Sequence, residues 1–174
     1  MSIKKIVTCG SVDDGKSTLI GRIIFETQNI FNDQQIKLKK LSSRYGTTGS
    51  KLDYALLLDG LQDEREQGIT IDVAHRYINY KNQRLVFHDS PGHYQYTSNV
   101  ITASSNCDIA ILLVDVKRGI FDQTKRHLKI LEFLNFKNII FALNKIDLVK
   151  YDKKIFLKIK ENLKKILFSN VKSN

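Results

Sequence analysis

Apolar residues along this chain gather in short unbroken runs, and between the runs they thin to a spacing of three or four. "KKIVTCG", "DIAILLVD" and "NIIFALN" are continuous enough to predict strands, the last two buried on both faces. "ITIDVAHRYINY" and "QRLVFHD" predict a pair of strands joined by a short turn at Lys81 and Asn82. "KSTLIGRIIFE" and "TKRHLKILEFL" carry the helical spacing, and "YQYTSNVITASS" fits a helix or a loop. "KKIFLKIKENLKK" sets Ile155, Ile159, Leu163 and Ile166 along one stripe with lysines between them, an amphipathic helix docked on a core. Residues 28–68 form a long polar and helical excursion. Apolar strands alternating with helices predict an α/β domain with a mostly parallel sheet.

Composition narrows this little. The chain has 174 residues, 42% of them apolar, enough for one domain with a sizeable core. No stretch approaches the ~20 apolar residues of a membrane span, and "MSIKKIV" leads into a strand without a signal-peptide apolar region. Two cysteines, Cys9 and Cys107, are too few for a disulfide framework, which fits a reducing cytoplasm. Cys9 ends a strand and reads as a small core residue. The net charge of +10 comes mostly from dispersed lysines, so neither specific nucleic-acid binding nor a membrane surface is expected of it.

Chemistry enters with "GSVDDGKST", which fits G-x-x-x-x-G-K-[ST] between a strand and a helix. Gly10 and Gly15 let the backbone of Ser11, Val12, Asp13 and Asp14 curl so that its N–H groups meet a β-phosphate. Lys16 reaches the β- and γ-phosphates, Ser17 offers a hydroxyl to Mg²⁺, and the helix opening at Lys16–Thr18 turns its positive dipole end to the anion. Asp13 and Asp14 contribute backbone, so their side chains can point away, toward a cation or a partner.

Two further motifs complete the set. In "NKID" the Asp147 carboxylate suits the N1–H and 2-amino group of guanine, where adenine would leave it unpaired. Asn144 can tie its loop to the phosphate loop, the Lys145 stem can lie along the base, and Ile146 joins them. In "DSPGH", Asp89 closes a strand and would hold Mg²⁺, while Ser90 and Pro91 lead to Gly92, whose N–H could meet the γ-phosphate. His93 then stands where it can orient a water. Thr70, in "EREQGITID", could complete the metal shell only while the γ-phosphate is present, ordering its segment in that state. His75, His88 and His127 lack such surroundings and read as structural.

These motifs resemble the translation-factor GTPase superfamily. "TCGSVDDGKSTLIGR", "LDYALLLDGLQDEREQGITIDVAHRY", "DSPGHYQYT" and "NKIDLV" look more narrowly like the GTPase (large) subunits of bacterial sulfate adenylyltransferase. The resemblance implies a P-loop fold with helices on both faces of the sheet and GTP hydrolysed with Mg²⁺. It also implies a catalytic small subunit as partner, which forms adenylyl sulfate from ATP and sulfate. Val12 and Ile69 match an apolar pair that screens the histidine in related factors. The sequence has "DSPGH" where "DTPGH" is usual, and Ser98 where arginine is usual. The family continues with a further strand, a loop supporting the guanine O6 and two β-barrel domains. Residues 1–174 are therefore expected to be a C-terminally incomplete G domain, with the edge of "NIIFALN" left open. Two other readings compete: an elongation-factor-like translational GTPase, and a nucleotide-binding module with little turnover.

Overall fold

In the computed structural model, which describes residues 2–46, 52–58 and 74–171, five strands form one sheet in the order β2-β3-β1-β4-β5. The strands are β1 (Ser2–Cys9), β2 (Ala74–Tyr80), β3 (Gln83–Asp89), β4 (Ile109–Asp115) and β5 (Ile139–Asn144). β1 runs parallel to β3 and β4, and β4 runs parallel to β5. Only β2 is antiparallel, paired with β3 across the turn at Lys81 and Asn82. The register places Thr8 opposite Asp89, and Asp115 opposite Asn144. The carboxyl ends of four parallel strands therefore lie along one edge, where α/β sheets collect their ligands.

Among the described residues five α-helices accompany the strands: α1 (Lys16–Glu26), α2 (Asn32–Tyr45), α3 (Thr97–Ser104), α4 (Asp122–Phe133) and α5 (Lys153–Val171). Two apolar cores result. One joins Ile6, Ile20, Ile24, Ile78 and Phe87 beneath α1. The other joins Val7, Val100, Leu112, Leu128 and Leu131 with Ile159 and Leu163 of the lysine-rich helix, flanked by Ile155 and Ile166. Cys9 lies fully buried in that second core, and burial pushes its thiol up to about 12, so it packs and does not react.

The structure refines the sequence pattern in three places. α4 begins at Asp122, two residues before the apolar spacing starts. "YQYTSNVITASS" resolves into a 3₁₀ turn, Tyr94–Tyr96, followed by α3. "NIIFALN" is the outermost of the five, in keeping with the open edge expected of it, but its faces are only half-covered, with Ile140 53% exposed. An unbroken apolar run cannot distinguish a central strand from an edge strand that is packed on one side.

Candidate functional site

The loop between β1 and α1 is shaped by two glycines with positive φ, Gly10 at 147° and Gly15 at 94°. A Cβ at Gly10 would lie 2.8 Å from the Leu113 carbonyl oxygen, so the loop passes too close to β4 for any side chain there. Asp14 does not point outward. Its buried carboxylate turns back and accepts the Ser11 N–H at 2.7 Å. Burial raises its pKa, and that Ser11 hydrogen bond and the Lys16 charge pull the other way. Asp13, at φ 66°, is exposed. Lys16 is buried and donates to the Ser11 carbonyl at 2.8 Å. Burial lowers its pKa, while the negative charges of Asp89 and Asp14 oppose the shift. A cation is thus held inside a backbone loop at the start of α1, whose N-terminus no side chain caps.

"DSPGH" packs directly on this loop. The buried Asp89 accepts from Thr8 Oγ1 at 3.0 Å through one oxygen and from Ser17 Oγ at 2.6 Å through the other. Ser90 Oγ donates to the Thr8 carbonyl, which locks the ends of β1 and β3 together. Ser90 and Pro91 are buried. At Gly92 a Cβ would fall 2.5 Å from the Lys16 ammonium and 2.7 Å from the Val12 nitrogen. His93 follows, half-buried, with its ring 5.1 Å from that of Tyr94 and its Nδ1 buried without a partner among the described residues. Ser17 and Asp89 form a pair of hard oxygen donors beside the loop, the donor type that Mg²⁺ takes.

The third motif meets the first through a side chain. Asn144, at the end of β5, donates from Nδ2 to the Asp14 carbonyl at 2.8 Å, across 130 positions of sequence. Lys145 sits in the left-handed region at φ 59° and pairs with Asp115 at 3.1 Å. Ile146 packs against the second core, and the Asp147 carboxylate beyond it is exposed. Burial alone would raise the pKa of Asp115, but the Lys145 hydrogen bond and the N–H groups of Lys117 and Arg118 outweigh it and lower it. Thr70 and Ile69 lie outside the described residues; Val12 is half-exposed in the loop. Ser98, on α3, is exposed.

Motif reading missed the residues behind the loop. His127 of α4 is wholly buried and accepts the Gly10 N–H at its Nδ1, 3.0 Å away. Burial, with the nearby Lys16 charge, pushes its imidazole down to about 4. Arg118 donates to the Val12 carbonyl at 2.8 Å. One signal was present in the sequence. Thr124, His127, Leu128 and Leu131 share the helical stripe that α4 buries, so a polar ring stands where an apolar side chain would be ordinary.

Comparison with known proteins agrees with this geometry. The family described as "Elongation factor Tu GTP binding domain" matches residues 1–174. Sulfate adenylyltransferase subunit 1 of Salmonella arizonae is 53% identical over 161 residues, 92% of this chain and 34% of the relative. The chain thus spans about a third of that relative's length. Among solved structures, a bacterial selenocysteine-specific elongation factor, EF-Sec, is 28% identical with a TM-score of 0.69, over 98% of this chain and 24% of its own. The GTPase-like domain of Ski7 from S. cerevisiae shares the fold, with a TM-score of 0.82 at 22% identity, over 97% and 40% of the two chains.

Proposed function

The chain belongs to the elongation factor Tu GTP-binding domain family, and from that premise we propose that it binds GTP with Mg²⁺ and hydrolyses it as the G domain of a sulfate adenylyltransferase GTPase subunit. One observation carries the nucleotide assignment. The Asn144 amide on the Asp14 carbonyl brings the loop of Asp147 to the loop of Lys16, so one ligand can carry both a guanine and a polyphosphate. In this reading Gly10–Thr18 cradle the phosphates, Lys16 neutralises the β- and γ-phosphate charge, and Asp147 reads the base. Ser17, Asp89 and Thr70 would hold Mg²⁺, which neutralises charge on the phosphates when bound. Gly92 brings its N–H toward the γ-phosphate end, and His93 orients the attacking water.

The narrower assignment rests on the 53% identity to a sulfate adenylyltransferase subunit 1. Among the described residues no helix is long and apolar enough to cross a membrane, and we place the protein in the cytoplasm. Its partner would be the catalytic small subunit that joins ATP and sulfate, with GTP hydrolysis driving that uphill step.

Titration with GTP and ATP tests the nucleotide. GTP is expected to bind and ATP hardly at all; equal affinities overturn the guanine assignment. Asp147→Asn exchanges an acceptor oxygen for a donor facing the 2-amino group. It is expected to weaken GTP by about 2–4 kcal/mol and relatively favour XTP. For the partner, GTP-dependent formation of adenylyl sulfate is measured with the full-length protein and the small subunit. No GTP dependence, together with salt-sensitive RNA binding, would point to a translational factor instead.

A further inference from the structure

The contact between α4 and the phosphate loop has a definite chemical polarity. The Gly10 N–H can only donate, so the His127 Nδ1 it meets at 3.0 Å must be unprotonated. The ring's proton then resides on Nε2, which faces the Gln123 side-chain amide at 3.0 Å. Gln123 Nε2 stands at that position, but two N–H groups cannot donate to each other, so the hydrogen-bond pattern requires the amide turned over to present its oxygen. The imidazole is wholly enclosed, so with the ring in place the Gly10 N–H is shielded from solvent. On another side of Gly10 a Cβ would fall 2.8 Å from the Leu113 carbonyl oxygen, so β4 stands close against the loop there. Two anchors from the β4–α4 segment thus hold the loop from behind: His127 at Gly10, and Arg118 at the Val12 carbonyl.

We propose that His127 is a positioning residue for nucleotide binding: as a neutral Nε2–H imidazole it holds the phosphate loop in its binding shape before the nucleotide arrives. Fully enclosed, it acts through its contact with Gly10. Without it the empty loop relaxes and hydrates its freed N–H, and the nucleotide must then reorder it, which weakens binding. The loop serves the phosphates common to GDP and GTP, so both lose affinity alike. The loss falls on binding shared by ground and transition states, so KM rises and kcat stays. The binding and kinetic arms rest on the GTPase reading; the tautomer and the loop contact do not.

The test compares His127→Leu, which removes the acceptor, with His127→Asn, whose amide oxygen can take the place of Nδ1. Leu is expected to raise the Kd for GDP and for GTP by about three- to tenfold, the scale of one buried hydrogen bond, with kcat unchanged; Asn is expected to restore most of the loss. Imidazole ¹⁵N shifts of the nucleotide-free protein provide an arm independent of any GTPase activity, and they are expected to report Nε2–H and a bare Nδ1. A Leu variant that melts lower yet binds both nucleotides normally, or a ring protonated at Nδ1, overturns the proposal. Absence of GTP binding in the unmodified chain, with the expected ¹⁵N shifts, overturns the GTPase reading and leaves the loop geometry standing.

Discussion

His93 and Lys16 stand in the same small volume and are expected to fail differently when removed. Lys16 is buried against the loop carbonyl, and in the proposed function its charge would serve the nucleotide in every state. His93 has one ring nitrogen enclosed beside two tyrosines, with no hydrogen-bond partner among the described residues. His93→Ala is expected to slow single-turnover GTP hydrolysis at least about tenfold while changing GTP affinity less than about threefold, since orienting a water matters only in the transition state. A single-turnover rate within about twofold of the unmodified protein, well under 1 kcal/mol, would falsify the water-orienting role. The same scale shows why sequence found His93 and not His127. The first follows a glycine in a recognisable string. The second lies 117 positions from the residue it serves, and only the fold joins them.

At the level of elements, legibility follows from how local the physics is. α1 and β3 begin and end where the pattern predicts, because a glycine loop starts one and a tight turn and a motif bound the other. The stripe of α5 is also as read: Ile159 and Leu163 are buried, Ile155 and Ile166 are half-buried, and the lysines between them are exposed. The open edge of β5 was expected, but the burial of its faces was misread, because exposure depends on what packs on a strand, which its own composition does not state. Asp14 was misread because its turn back to Ser11 is set by loop geometry, with no periodicity to report it. The α5 stripe carries an expectation of its own. Leu163→Ala, at 3% exposure, is expected to cost about 2–5 kcal/mol by removing side-chain contacts and leaving a cavity. Lys164→Ala on the exposed side is expected to change stability by less than about 0.5 kcal/mol. Urea unfolding of the two variants checks the pair; similar losses would mean that α5 is not docked through that stripe.

Across the whole molecule, the buried neutral imidazole makes the fold acid-sensitive well above the ordinary carboxylate range. His127 is pushed down to about 4 in the fold, against ~6.5 in an unfolded chain. Between those values the unfolded chain takes up a proton that the fold refuses, so stability falls as pH drops. The contribution is complete above pH ~6.5 and gone below pH ~4. At about 1.4 kcal/mol for each pH step, it amounts to about 3 kcal/mol. His88, lowered by burial, acts in the same direction, and Asp14, raised by burial, opposes it near the ordinary carboxylate range. Unfolding free energy measured from pH 8 to pH 4.5 is expected to show this slope and to lose much of it in His127→Asn. An unchanged slope in that variant assigns the sensitivity elsewhere.

The Asn144–Asp14 bond also sets an order of events in time. It closes a loop of 130 positions, and β5 can supply Asn144 only after β4 has paired with β1 and β5 with β4. Contacts between such distant segments form late, because chain entropy is lost before they can repay it. A refolding chain should therefore regain much of its helix before it can capture a guanine nucleotide. Stopped-flow refolding with a fluorescent GDP analogue is expected to show capture lagging the far-ultraviolet circular dichroism signal, and simultaneous recovery would mean that the two loops meet early. On that ordering, nucleotide capture acts as a clock for the last step of folding: a chain that holds GDP has already completed its sheet.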